Sequence, residues 1–242
     1  MAEDDSRPRM RGAAAHRRTL QSAARRPAAV VSPIVIVVGI AFGVLGAAAE
    51  RLASVWPPDE AQGRPAGWRT VMLAALSGLA AAAVVARSEL PWWATGAYLV
   101  LLALLLVLVA TDLEQRRLPH LILDPLIVLA VIWVPFNPAV EPGMAIVGAV
   151  AAVAFLGALA LVVRGGLATG DLYLVAPIGL ALGWPAIFTA LFAAAFLAAG
   201  TSLVLLASRR VGMRSYIPFG PFLVGGAVLA LLLDTGVLAP VR

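Results

Sequence analysis

The fold is decided by the stretch Tyr98-Leu-Val-Leu-Leu-Ala-Leu-Leu-Leu-Val-Leu-Val-Ala-Thr-Asp112, which is uncharged until its last residue. It belongs to an apolar segment over 93–111, close to the ~20 residues that a helix needs to cross a bilayer. A carboxylate at bilayer depth costs roughly 2.5–3.5 kcal/mol, so such a residue is by default a candidate for function. The stretch therefore predicts a transmembrane helix that ends on a chemically active side chain.

The rest of the chain continues this pattern. Hydrophobic residues make up 62% of the sequence and charged residues only 13%, whereas soluble domains carry about 25% charged residues. The mean hydropathy is +0.95. These features predict an all-α, polytopic transmembrane helix bundle of about eight helices. The apolar segments cover 34–49, 70–87, 93–111, 120–135, 143–163, 172–184, 186–207 and 218–233.

The charged residues divide the chain into two parts. Residues 1–32 are Arg-rich and predict a disordered tail, and residues 33–242 form the predicted transmembrane domain. The pI near 10.9 could suggest a nucleic-acid ligand. The arginines, however, lie in the tail and in loops beside apolar segments, where positive charge sets membrane topology. We therefore expect a lipid bilayer as a partner and no nucleic acid; the oligomeric state is left unassigned.

Arginines also predict which side each loop faces. They occur in the loops after the third, fifth and seventh segments and are absent around 137–143 and 183–184. Since cytoplasmic loops are enriched in positive charge, Asp112 and Asp171 are both predicted at the cytoplasmic face. The same alternation places the Arg-rich tail outside, against the rule. Either translation starts at Met10 or later, or the first segment does not span the bilayer.

A second aspartate, Asp171, opens the sixth segment and follows Gly170. Two carboxyl groups at one membrane face can hydrolyse a peptide, because one takes a proton from water while the other, protonated, polarises the scissile carbonyl. A glycine beside the acid allows close approach of another backbone. The chain has no Cys, and His16 and His120 are far apart. We therefore expect no thiol nucleophile, no metal site and no cofactor.

Three stretches make the chain resemble the prepilin peptidases, or type IV leader peptidases, of the GxGD membrane aspartyl proteases. Asp112 is followed by an apolar residue, Pro and a polar residue at Leu118–His120. The second motif, Gly-x-Gly-Asp-x-Lys in the family, appears as Ala168–Tyr173 with Gly and Asp in place. The third, Ile-Pro-Phe-Gly-Pro-Phe, is intact at Ile217–Phe222. The resemblance covers about residues 93–233.

This resemblance implies an intramembrane aspartyl endopeptidase that removes the basic leader of prepilin or pseudopilin substrates at the cytoplasmic face of a prokaryotic plasma (inner) membrane. It assigns the catalytic roles to Asp112 and Asp171. The residues that it implies for substrate positioning are Gly170, Thr169, Tyr173, Pro119, Pro218, Gly220 and Pro221. The family often carries a Cys-containing insert linked to N-methylation between its first two helices. The short, Cys-free loop 51–69 implies cleavage without that module.

Departures from the family pattern leave two alternatives open. Ala168 replaces Gly, Tyr173 replaces Lys and His120 replaces Asn, so a catalytically inactive scaffold of the same fold is one alternative. A small polytopic transporter is the other, although transporters place polar groups at mid-membrane and here they gather at one face. Asp124, a third acid in the apolar region, is interpreted as an interfacial or substrate-side group.

Overall fold

The computed structural model describes residues 32–56, 63–162, 168–209, 217–234 and 238–240. Within these ranges the chain forms eight α-helices and no strand. They are α1 Pro33–Val55, α2 Trp68–Arg87, α3 Trp92–Gln115, α4 His120–Trp133, α5 Pro142–Val162, α6 Thr169–Leu182, α7 Ala186–Ala207 and α8 Gly220–Leu233. A short 3₁₀ turn, Val134–Phe136, follows α4. The all-α prediction and its eight segments are confirmed.

The predicted tail over residues 1–32 lies, apart from Ser32, outside the described residues. Residues Ile34–Arg242 form one compact unit. The predicted boundary between tail and transmembrane domain therefore stays a prediction.

Five of the helices, α1, α2, α3, α5 and α7, are long and apolar enough to cross a membrane, while α4, α6 and α8 are shorter apolar helices. The chain is thus a multi-pass membrane protein. The most apolar 18-residue stretch of α3 is 56% buried, against 17–22% in the other four long helices. Large apolar side chains such as Val44, Leu79 and Phe196 instead face outwards, as expected of helices in lipid. Helix α3, which carries Asp112 in its last turn, is therefore the central helix.

Two of the shorter helices, α4 and α8, pack against α3. Helix α8 contacts α3, α6 and α7, and α6 also packs against α4 and α5. The C-terminal end of α3 lies at the same end of the bundle as the first turns of α6 and α8, which carry the second and third sequence motifs. We call this the motif end. At the opposite end, the start of α3 meets the end of α6, where the Tyr98 hydroxyl donates to the Ala181 carbonyl at 3.0 Å.

Candidate active site

Asp112 lies in the last turn of α3 and is only 5% exposed. The helix ends four residues later at Arg116, which adopts a left-handed conformation and donates its amide to the Asp112 carbonyl at 2.9 Å. The carboxyl group is therefore inside the bundle. A solvated carboxylate that merely ends a helix would be exposed, so this burial favours a functional role.

The start of α8 meets the Asp112 carboxyl group. The Gly220 backbone amide is directed at this carboxylate, and a Cβ atom at position 220 would lie 2.5 Å from Asp112 Oδ2. Real Cβ atoms essentially never come so close, so any larger residue here would displace the Asp112 carboxylate. No side chain in the described part of the chain donates to Oδ2. That oxygen can therefore accept a hydrogen bond from water or substrate.

Asp171 occupies the third position of α6 and is 2% exposed. Its Oδ2 accepts a hydrogen bond from the Ala168 amide at 3.2 Å, which caps the start of α6. Gly170, directly before it, faces the segment that precedes α4, since a Cβ at position 170 would lie 3.1 Å from Leu118 Cδ1. The neighbour that Gly170 admits is thus a side chain of the first motif.

The two aspartates approach each other at the motif end. A Cβ atom at position 220 would lie 2.5 Å from Asp112 Oδ2 and 3.6 Å from Cδ2 of Leu174, three residues after Asp171, and α8 packs against both helices that carry the aspartates. Two neighbouring buried carboxyl groups cannot both ionise cheaply, so such a pair shares a proton. The arrangement therefore suits a carboxyl pair that works as acid and base together.

The other predicted positioning residues lie around this pair. Pro119 precedes the first residue of α4, and Thr169 is the first residue of α6. Tyr173 is half-exposed, and its ring contacts the His120 ring edge-on, with centroids 5.6 Å apart. Two of the three departures from the family pattern are thus in contact. Pro218 and Pro221 line a cavity of ≈ 270 Å³ that Leu113, the residue after Asp112, also lines.

Asp124 is separate from the carboxyl pair. Its side chain is 64% exposed, and its Oδ1 lies 3.1 Å from Nδ1 of His120, one turn earlier on α4. The position agrees with the interpretation of Asp124 as an interfacial group.

Sequence reasoning missed two further buried acids at the motif end. Glu50 and Glu114 are 6% and 8% exposed and form ion pairs with Arg64 and Arg69. The sequence had explained these arginines through topology alone. An available signal was the position of both acids at the ends of apolar runs, together with arginines in the loop 51–69 that had no predicted partner. Within the described ranges, no three His, Cys, Asp or Glu residues are grouped as metal ligands would be.

The sequence is similar to those of known proteins. Residues 99–203 match the type IV leader peptidase family. The prepilin leader peptidase/N-methyltransferase of Aeromonas salmonicida (strain A449) is 32% identical over 154 residues, which cover 62% of this chain and 53% of the relative. The protein of the same name from Burkholderia pseudomallei (strain 1026b) is 32% identical over 176 residues, 71% of this chain and 57% of the relative. The one from Bacillus subtilis (strain 168) is 26% identical over 147 residues, which cover 58% of this chain and 56% of the relative.

The chain thus spans about half the length of the curated relatives that it matches. No solved structure matches it significantly.

Proposed function

We propose that this chain, whose residues 99–203 match the type IV leader peptidase family, is an aspartic-type endopeptidase that removes the basic leader of prepilin-like substrates. The observation that carries the proposal is the pair Asp112 and Asp171, two buried carboxyl groups on different helices that both pack against α8. The relatives are named prepilin leader peptidases, which supports this substrate class.

The reaction follows from the chemistry of a carboxyl pair. One carboxylate takes a proton from a water molecule as that water attacks the scissile carbonyl, while the protonated partner donates a hydrogen bond to the carbonyl oxygen. The scissile C–N bond then breaks, and the leaving amine receives a proton from the pair. The free Oδ2 of Asp112 supports a role for this oxygen in binding the water or the carbonyl.

The surrounding residues have positioning roles in this proposal. Gly220 leaves room for the Asp112 carboxylate, and Pro218 and Pro221 hold the chain on either side of it. Thr169, Gly170 and Tyr173 set the start of α6, and Pro119 sets the start of α4.

We place the protein in the plasma (inner) membrane of a prokaryote, with the motif end in the cytoplasm. The support is the arginine content of this end, because cytoplasmic loops are enriched in positive charge. The substrate leader is then cut on the side where it is synthesised.

The relatives are named for two activities, and we propose that this chain carries out only the proteolytic one. Helix α1 ends at Val55 and α2 begins at Trp68, and so short a connection cannot fold as a domain. Mass spectrometry of a substrate processed by the purified protein with S-adenosylmethionine should find an unmethylated N-terminus. A methylated product would contradict this part of the proposal.

Cleavage by reconstituted protein tests the main proposal. A synthetic peptide with a basic leader that ends in Gly before an apolar stretch should be cut after the Gly, and a chelator should have no effect. The aspartyl mechanism is wrong if Asp171→Asn retains most of the activity or if the chelator abolishes it. If correctly folded protein is inert on every leader, the scaffold alternative replaces the protease. Restoring Gly at Ala168 and Lys at Tyr173 then tests whether those departures cause the inactivity.

A further inference from the structure

Four charged side chains join the ends of α1 and α3 to the region before and at the start of α2. The Arg64 guanidinium lies 3.3 Å from Glu50 Oε1 and also pairs with Glu114 Oε2, while Arg69 lies 3.4 Å from the same Glu114 oxygen. The Thr70 hydroxyl donates to Glu50 Oε2 at 2.7 Å. Only 3% of the Glu114 side chain is exposed. We call Glu50, Arg64, Arg69 and Glu114 the charged cluster.

The backbone before α2 brings Arg64 into this cluster. Gly63 adopts a left-handed conformation, with φ at 59°, and its amide donates to the Ser54 carbonyl at 2.9 Å. Glycine adopts this conformation readily. The Arg51 guanidinium also donates to the Arg64 carbonyl at 2.5 Å. Arg64 is thus held through its backbone by α1 before its side chain reaches α3.

Other hydrogen bonds hold the last turn of α3 directly. Arg69 Nη2 donates to the Leu113 carbonyl at 2.9 Å, and Gln115 Nε2 donates to the Ala53 carbonyl at 2.9 Å. Leu113 and Glu114 are the two residues that follow Asp112. The polar contacts from α1 and α2 therefore converge on the turn that carries one of the two proposed catalytic groups.

The charged cluster is also close to the proposed site in space. All four of its members line the cavity of ≈ 270 Å³, and Pro218 and Pro221 line the same cavity. Gly220, between these two prolines, contacts the Asp112 carboxylate. A structural change in the charged cluster can therefore displace Asp112 by two routes, along α3 and across the cavity.

Stability and topology do not explain these contacts. Replacing a buried ion pair by apolar residues is often neutral or stabilising, and arginines that set topology need no acidic partner. What a buried, multiply bonded ion network provides is a fixed geometry. Catalysis depends on geometry, because a misplacement of about 1 Å can cost about 10²-fold in rate.

We propose that Arg64 and Glu114 are positioning residues, which fix the last turn of α3 and thereby the Asp112 carboxyl group. The inference rests on the proposed proteolytic function. It concerns α1, α2 and their connection, which lie outside the family match to residues 99–203.

Kinetics of Arg64→Met and Arg64→Lys test the proposal. Met has a similar length without charge, and Arg64→Met should lower kcat about 10–100-fold with KM within about twofold. Arg64→Lys preserves the charge that sets topology and should restore part of kcat. The restoration should be incomplete, because a single ammonium group binds two carboxylates less well than the planar guanidinium group does. The matched control is Arg87→Met at the exposed, opposite end of α2, which should behave as wild type.

A double-mutant cycle examines the pair itself. Arg64→Met and Glu114→Gln should be less than additive in kcat, because each change breaks the same contact. Additive losses, a change in KM alone, or equal effects of Arg64→Met and Arg87→Met would overturn the proposal.

A measurement without activity separates this inference from the proposed function. The chain has no Cys, so Asp112→Cys introduces a single reporter thiol in a buried position. The labelling rate of this thiol by maleimide should rise at least about tenfold when Arg64→Met is added, because accessibility follows local opening of the turn. It should not rise with Arg87→Met. An unchanged rate contradicts positioning. A faster rate supports positioning, and if protein that keeps Asp112 nevertheless cuts no leader, the protease is contradicted while the positioning role stands.

Discussion

The two ends of the helix bundle bury their polar side chains differently. At the opposite end, Tyr98 and Asn137 are neutral and hydrogen-bond each other at 3.2 Å, and Asn137 also accepts the Ala139 amide at 3.0 Å. At the motif end the buried polar side chains include four acids, Glu50, Asp112, Glu114 and Asp171. Asp112 Oδ2 and Glu114 Oε1 receive no hydrogen bond from any described residue.

This difference distinguishes polar groups that stabilise the fold from polar groups that are available for a reaction. Buried polar groups are normally paired, and an unpaired one calls for an explanation. Tyr98 and Asn137 are paired and need no role beyond packing. The neighbouring Trp133 Nε1 has no hydrogen-bond partner among the described residues, but it is neutral and therefore costs less to bury than a carboxylate. The free carboxylate oxygens at the motif end are costly for stability, which suggests that they are kept for a reaction or for positioning. Changes at the motif end should therefore alter activity, and changes at the opposite end should alter stability.

The largest expected effect is that of the carboxyl pair. Asp112→Asn and Asp171→Asn should each lower kcat by at least about 10³-fold, and the double variant should be barely worse, because the residues act as a unit. The unfolding temperature should stay the same or rise, since a neutral amide is cheaper to bury than a charge. Single-turnover cleavage and thermal unfolding in detergent measure the two quantities. Multiplicative losses would show that the aspartates act independently.

Gly220→Ala should have the next largest effect. The added methyl group would collide with Asp112 Oδ2, and a displacement of about 1 Å can lower kcat by about 10²-fold. Gly200→Ala on α7 is the matched control, because a Cβ there meets nothing within 4 Å. Peptide cleavage by the two variants provides the comparison. Equal activities would mean that Gly220 does not shape the site.

Asn137→Ala should lower stability without lowering kcat, the opposite of what we expect for the motif-end variants. It leaves the Ala139 amide and the Tyr98 hydroxyl without one partner each, which should lower the free energy of unfolding by about 1–3 kcal/mol. The kcat of the folded fraction should be unchanged. Denaturant unfolding and active-site-normalised kinetics check both statements. A large loss of kcat with normal stability would show that the opposite end also affects activity, which would contradict the proposed difference between the two ends.

Among the aspartate variants, Asp124→Asn should have the smallest effect, about tenfold or less in kcat. Asp124 is exposed and pairs with His120 in the same helix, and an exposed pair of this kind contributes only ~0.3–0.5 kcal/mol. The same cleavage assay, run beside Asp171→Asn, measures it. A loss as large as that of Asp171→Asn would place Asp124 in the reaction.

Much of the site was recognisable from the sequence, because a charge at the edge of an apolar run stands out. Asp112 and Asp171 were identified in this way, and the motif around Gly220 by resemblance. The reason for glycine at position 220 could not be predicted, since it lies in a contact with a residue about a hundred positions earlier. Glu50 and Glu114 were missed because an acid at the end of an apolar segment is also typical of an ordinary solvated boundary.

The sequence by itself predicted eight apolar helices, because apolar runs can be counted along the chain, but it did not predict all of their ends: α1 continues to Val55, six residues beyond the predicted segment. It also determined which loops share an end, through the alternation of arginines. Only the tertiary structure decided which acids lie in the interior and which partners they have. The free oxygen of Asp112 and the pairing of Arg64 with Glu114 depend on contacts between helices that are distant in sequence, and no local pattern encodes them.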